Sequence, residues 1–210
     1  MAKKAFMKMS PFKVTVNRKQ LLKEIHVENA KVMGQKLRRF IEPKLETKQK
    51  NLVKKFEAHP ITIEIDAGPT ARNSSGTLGG YGNLFSFIGF SSGSDPAAVI
   101  KKIFSEKIKF RVRRKNSSGK YRITFYIPSI EEIYSLTPLP WASGQSWVSG
   151  VEKGMSNLGS YLYGASGFSS SSSGTAIQTK TPFSSVSFKN TPYVSKLLDN
   201  FKNRLKRLDK

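Results

Sequence analysis

The sequence predicts an α+β protein: a small, mainly antiparallel sheet with a long N-terminal helix and a C-terminal helix, linked by long Gly/Ser-rich loops. Three observations predict it. Apolar residues recur at three- and four-residue steps near both ends of the chain. Residues 108–127 alternate apolar and basic side chains about a turn containing Gly119. Between the periodic segments lie stretches dense in glycine and serine. A length of 210 residues, against ~100–200 per domain, allows one domain or at most two, and we read 1–210 as one.

The first helix spans Arg18 to Phe56. Leu21, Leu22, Ile25, Val32, Met33, Leu37, Phe40, Ile41, Leu45, Leu52, Val53 and Phe56 form its apolar stripe, and Pro43 is expected to kink or split it. In Pro60–Asp66 the residues Ile61, Ile63 and Ile65 alternate with polar neighbours, which predicts a strand with one wet side. Residues 67–94 read as a loop that is mobile in the isolated subunit. Its apolar segment, with Leu84, Phe85, Phe87 and Phe90, is costly to leave in water and is therefore a candidate subunit interface. Asp95-Pro96 is a helix start, followed by Ala97, Val99, Ile100, Ile103 and Phe104 on one face.

The hairpin follows. Ile108, Phe110 and Val112 alternate with Lys109, Arg111 and Arg113; after the turn at 116–119, Tyr121, Ile123, Phe125 and Ile127 alternate with Arg122, Thr124 and Tyr126. Pro138 and Pro140 bracket a turn, and Ser146 to Tyr163 read as a broken helix. Residues 164–175 are a second loop expected to be mobile. Thr191-Pro192 then caps a final helix with Val194, Leu197, Leu198, Phe201, Leu205 and Leu208 as its buried stripe.

Charge and missing residue types narrow the function. Lys plus Arg is 36 against 14 acidic residues, a net charge of +22. It falls in three blocks: 16 basic against 5 acidic residues over 1–58, 10 against 1 over 101–130, and 7 against 2 over the last 22. Such self-repulsion points to an anionic partner. The chain has no cysteine, which excludes disulfides, thiolate metal sites and a cysteine nucleophile. His26 and His59 lie too far apart for a ligand pair, so no metal is expected. Glu131 and Glu132 are adjacent and point apart, Gly79–Gly82 lacks a phosphate-loop pattern, and no GxSxG is present. These absences predict no enzyme and no cofactor. No apolar run approaches the ~18 residues of a membrane span, and the first residues lack the apolar stretch of a signal peptide. A soluble, cytosolically made protein is expected.

Lys109, Arg111, Arg113, Arg114, Lys115, Lys120 and Arg122 are the candidate contact residues. DNA phosphates and an acidic protein surface suit them equally. No sequence-reading motif for DNA or RNA accompanies them.

The order of elements carries a resemblance. After the basic helix come Gly82-Asn83-Leu84, the hairpin, Trp147-Val-Ser-Gly-Val-Glu-Lys-Gly154, and Thr191-Pro192-Tyr193-Val194 before the last helix. This resembles the tail-completion and neck proteins of long-tailed bacteriophages. In those proteins a TG-N-L-like segment, a YA-x-x-V-E-x-G element and a P-F-[LIV] element stand at the corresponding places. The chain departs from them in two insertions, 91–106 and 128–146, and in Trp147 where Tyr-Ala is usual. The resemblance implies a structural virion subunit forming a ring, a hexamer or dodecamer, at the head–tail junction around the DNA channel. It implies head–tail connector, tail-tube and terminator proteins as partners, non-specific DNA contact, and assembly in the host cytoplasm. A basic nucleic-acid-binding protein of ribosomal or nucleoid type is the alternative.

Overall fold

From Val32 onward the apolar stripe lies on one continuous helix, α1 (Ala30–Glu57). The computed structural model of the chain describes residues 10–14, 30–78, 82–115, 120–140, 142–154, 161–163, 177–179 and 188–208; the expected helix start at Arg18 lies outside them. Helix α1 is not split at Pro43. A proline inside a helix costs roughly 3 kcal/mol, whereas Met33, Leu37, Ile41, Leu45, Leu52 and Phe56 are all buried at about 1.5–3 kcal/mol each. Packing wins. One turn on, the Thr47 hydroxyl donates to the Pro43 carbonyl at 2.8 Å.

Residues 60–66 form helix α2 (Pro60–Asp66) and not the strand their alternation predicts. Pro60 sits at the first helical position, and the ring nitrogen Nδ1 of His59 accepts the Ile61 N–H at 3.3 Å, capping the helix. The buried residues are Ile61, Thr62, Glu64 and Ile65, while Ile63 is 50% exposed. That pattern follows a 3.6-residue period.

After a 3₁₀ turn (Gly68–Thr70), the apolar segment of the following loop folds as helix α3 (Leu84–Ile88). The Asn83 side chain accepts the Ser86 N–H at 2.9 Å, and Gly89 ends the helix in the left-handed region (φ 85°). Leu84, Phe85, Phe87 and Phe90 are all buried within the chain itself, so they form core rather than the candidate subunit interface. Phe85 packs on Phe90 (5.5 Å between ring centroids), Phe90 meets Trp147 edge-on (5.8 Å), and Phe87 stacks on Phe188 (5.7 Å). The loop at 164–175 lies outside the described residues.

Asp95 opens helix α4 (Ala98–Glu106), its carboxylate accepting the Ala98 N–H at 2.9 Å. The hairpin is as expected: β2 (Lys109–Lys115) pairs antiparallel with β3 (Lys120–Ile127). Strand β1 (Ser10–Val14) pairs with the other edge of β3, giving the order β1-β3-β2. Next come α5 (Ile130–Ser135) and the short pair β4 (Pro138–Leu139) and β5 (Ala142–Ser146). Helix α6 (Trp147–Lys153) is capped by Ser146, whose hydroxyl accepts the Ser149 N–H at 3.2 Å. It stops at Gly154 (φ 93°), and Tyr161–Tyr163 is strand β6, paired with β7 (Ile177–Thr179), rather than a continuation of the helix.

The last helix, α7, runs from Val194 to Leu205 with Val194, Leu198, Phe201 and Leu205 buried. Thr191 does not cap it. Its hydroxyl donates to the Lys189 carbonyl at 3.1 Å, and the helix begins three residues later.

The fold is mixed α+β. Residues 1–210, read above as one domain, gather into two compact units. The first comprises Met1–Lys54, Lys102–Ser129 and Leu197–Lys210; the second comprises Lys55–Lys101 and Ile130–Lys196. In the first, Met33 and Leu37 of α1 pack with Val112 and Tyr121 of the sheet. There the Gln49 amide also donates to the carbonyls of Phe104 (3.4 Å) and Ile108 (3.3 Å), where α4 gives way to β2. In the second, Phe56, Ile61, Phe85, Ile88, Trp147, Val151 and Tyr193 are among the fully buried side chains.

Candidate functional site

The sheet of the first unit has two chemically opposite faces, because side chains alternate along a strand. One face carries Phe110, Val112, Tyr121, Ile123, Phe125 and Ile127; Ile123, Phe125 and Ile127 are buried, and Phe110 and Phe125 lie 6.2 Å apart. The other carries Lys109, Arg111, Arg113, Lys120 and Arg122, all exposed, with Thr124 and Tyr126. Register places Arg113 opposite Arg122 and Arg111 opposite Thr124. On the far side of Thr124 the partner is the exposed Lys13 of β1, a cation that sequence reasoning did not include. Arg114 pairs with Tyr121 in register and so belongs to the opposite face, although it was counted with the basic set. Lys115 stands opposite Lys120 in backbone register. Residues 109–127 contain no acidic residue.

The charge divides between the two units. The segments of the first hold 29 basic and 7 acidic residues, the whole of the net +22, and those of the second hold 7 of each. Crowding in the first unit is visible at Lys48: partial burial lowers its pKa most, and the Arg204 and Lys44 cations lower it further.

The second unit brings the resemblance segments together around two carboxylates. Glu64 of α2 is buried, and its two oxygens accept the N–H groups of Ser75 (2.8 Å) and Leu84 (2.7 Å), anchoring both ends of residues 75–84. Glu152 of α6 does the same for the last helix. One oxygen accepts the N–H groups of Tyr193 (3.1 Å) and Ser195 (2.7 Å), and the other accepts the Tyr134 hydroxyl at 2.6 Å. A negative group at a helix N-terminus also meets the positive end of the helix dipole. Thus Glu152 replaces Thr191 as the cap. Burial first, and then the Glu152 carboxylate, push the Tyr134 phenol well above its ordinary pKa and keep it a neutral donor. The Lys153 ammonium lies 4.8 Å from the centre of the Tyr134 ring.

Tyr193 is the hub of this cluster. Its ring stacks on Phe56 (5.6 Å) and lies near His59 (4.7 Å) and Trp147 (6.3 Å), and its hydroxyl meets that of Thr62. Burial raises its pKa far above the usual phenol range. Beside Tyr134, an open cleft of about 510 Å³ is lined by Glu131, Gln145, Ser146 and Ser149 among others. The hydroxyl of Ser146 is engaged with Thr137 at 2.8 Å and with the Ser149 N–H, so it serves structure. Among the described residues no group of three His, Cys, Asp or Glu could hold a metal ion, and no helix is long and apolar enough to cross a membrane.

No protein family matches the chain, and no curated protein and no solved structure is similar to it.

Proposed function

We propose that the protein is a structural subunit of a bacteriophage virion that assembles as a ring, a hexamer or dodecamer, at the head–tail junction. The observation carrying this reading is the convergence of Trp147, Glu152 and Tyr193 with the helix opened by Asn83 and Leu84 in one core. The segments that resemble tail-completion and neck motifs are interlocked parts of a scaffold, as a family signature in a non-catalytic protein would be. Glu152, the one acidic position in the VExG-like element, spends both oxygens on positioning backbone and phenol. The neutral second unit suits contact with further copies and with connector or tail proteins, since it carries no net repulsion.

The alternative, a nucleic-acid-binding protein of ribosomal or nucleoid type, is favoured by the concentration of charge in the first unit. Negative-stain imaging and mass photometry of the purified protein, alone and with tail tubes, separate the two. Rings that join tail ends are expected. A chain that stays monomeric and ignores tail components would overturn the ring reading.

A further inference from the structure

We infer that the outer face of the β1-β3-β2 sheet is a binding site for the phosphate backbone of duplex nucleic acid, indifferent to base sequence. The inference does not depend on ring assembly.

The face is built from Lys13, Lys109, Arg111, Arg113, Lys120 and Arg122, all exposed. Alternate residues on a strand stand ~6.7 Å apart and neighbouring strands ~4.8 Å apart, so the six cations form a two-dimensional lattice of charge. Arg113 and Arg122 oppose each other directly. Like charges in that position destabilise a sheet, and no acid between 109 and 127 offsets them. An anionic ligand would relieve that repulsion. Beneath, the sheet is braced by Met33 and Leu37 of α1 against Val112 and Tyr121, so the cations project from a packed support.

Three features choose the occupant. Protein interfaces place an apolar or aromatic anchor at their centre and deplete charge there; on the described part of this face the non-cationic positions are Thr124 and Tyr126 of β3 and, at the β1 edge opposite Tyr126 in register, Pro11. That disfavours an acidic protein. Single-stranded nucleic acid is held by aromatic platforms on which successive bases stack, and one tyrosine is not such a platform. Arg and Lys can pair with guanine edges, but reading a mixed sequence also takes Asn or Gln for adenine, and the described residues of this face include neither. What remains is the sequence-independent attraction of cations for a phosphate lattice.

The test is fluorescence anisotropy with a 30-bp mixed-sequence DNA duplex, the corresponding single strand and polyglutamate, each across a salt series. With six phosphate contacts the slope of log K against log salt is about −5 for the duplex. The triple variant Arg111→Gln, Arg113→Gln, Arg122→Gln should reduce that slope by roughly 3 and weaken binding at low salt at least tenfold. Arg→Lys at the same three positions should restore most of it, because the attraction is Coulombic. Removing three cations elsewhere in the same unit, by Arg38→Gln, Arg39→Gln and Lys50→Gln, should change the slope by less than one. Circular dichroism and melting temperature verify that each variant is folded. Equal losses in the two triple variants would make the attraction a property of net charge and overturn the site. So would tighter binding of polyglutamate or of single strand than of duplex, or no duplex binding at all. Each of these results leaves ring formation, read by imaging, a separate question.

Discussion

The Thr62 hydroxyl and the Tyr193 phenol meet 2.6 Å apart in the interior of the second unit, joining positions 131 residues apart in the chain. Both residues are fully buried. A buried hydroxyl left without a partner costs about 1–3 kcal/mol, whereas removing both partners together costs far less. Thr62→Val and Tyr193→Phe should therefore each destabilise by about 1–3 kcal/mol, and the double variant by clearly less than their sum. Urea unfolding of the four proteins measures the coupling. Additive losses would show that the bond contributes nothing of its own.

Glu152 should matter through the last helix. Glu152→Leu keeps most of the volume but removes both acceptor oxygens from three donors. The Tyr193 N–H, the Ser195 N–H and the Tyr134 hydroxyl lose their partner, at about 1–3 kcal/mol for each that stays buried. Hydrogen exchange should show faster exchange at Tyr193 and Ser195, with little change at the centre of α4. Unchanged exchange at both amides would remove Glu152 from its capping role.

His59 gives the fold a pH dependence. Half-burial lowers its pKa, the Lys196 cation lowers it further, and the Glu152 carboxylate opposes both. In the folded state Nδ1 accepts the Ile61 N–H, which requires the neutral ring. The unfolded chain, with an ordinary pKa near ~6.5, then binds the proton more readily than the folded one. The contribution of His59 to stability is thus fully present above about pH 6.5 and is lost as pH falls through the lower folded value. Melting temperature should drop over that window in the native chain. His59→Asn, which retains a capping oxygen but does not titrate, should flatten the drop. A native profile rising toward acid would contradict the assigned direction.

The hairpin and the two terminal helices were legible because their periodicities run long enough to be unambiguous, and the order of Lys and Arg along β2 and β3 located the charged face. Lys13 escaped because β1 joins the sheet from far away in sequence, which no local pattern reports. Phe85 and Phe90 were misread as an outward patch because their burying partners, such as Trp147, come from another segment. Glu64 and Glu152 were opaque for the same reason. A lone acid among apolar neighbours signals a buried carboxylate, yet which amides it serves depends on where two distant loops end.

Residues 60–66 sharpen that lesson into the last prediction. Ile61, Ile63 and Ile65 alternate, and a strand would set all three on one face with equal importance. Helix α2 separates them: Ile61 and Ile65 are 0% and 1% exposed, and Ile63 is 50% exposed. Ile61→Ala and Ile65→Ala should each cost about 2–5 kcal/mol, as large-to-small changes in a packed core do. Ile63 is only half buried, and alanine's higher helix propensity offsets part of the loss, so Ile63→Ala should cost under about 1 kcal/mol. Ile63→Lys should be tolerated to a similar extent, since a lysine stem can cover the same surface while its ammonium stays in water, although it adds a charge to the neutral unit. Chemical denaturation of the four single variants decides the matter. Comparable losses at 61, 63 and 65 would restore the strand, whereas a deep loss at 61 and 65 beside an indifferent 63 fits the helix that Pro60 and His59 initiate.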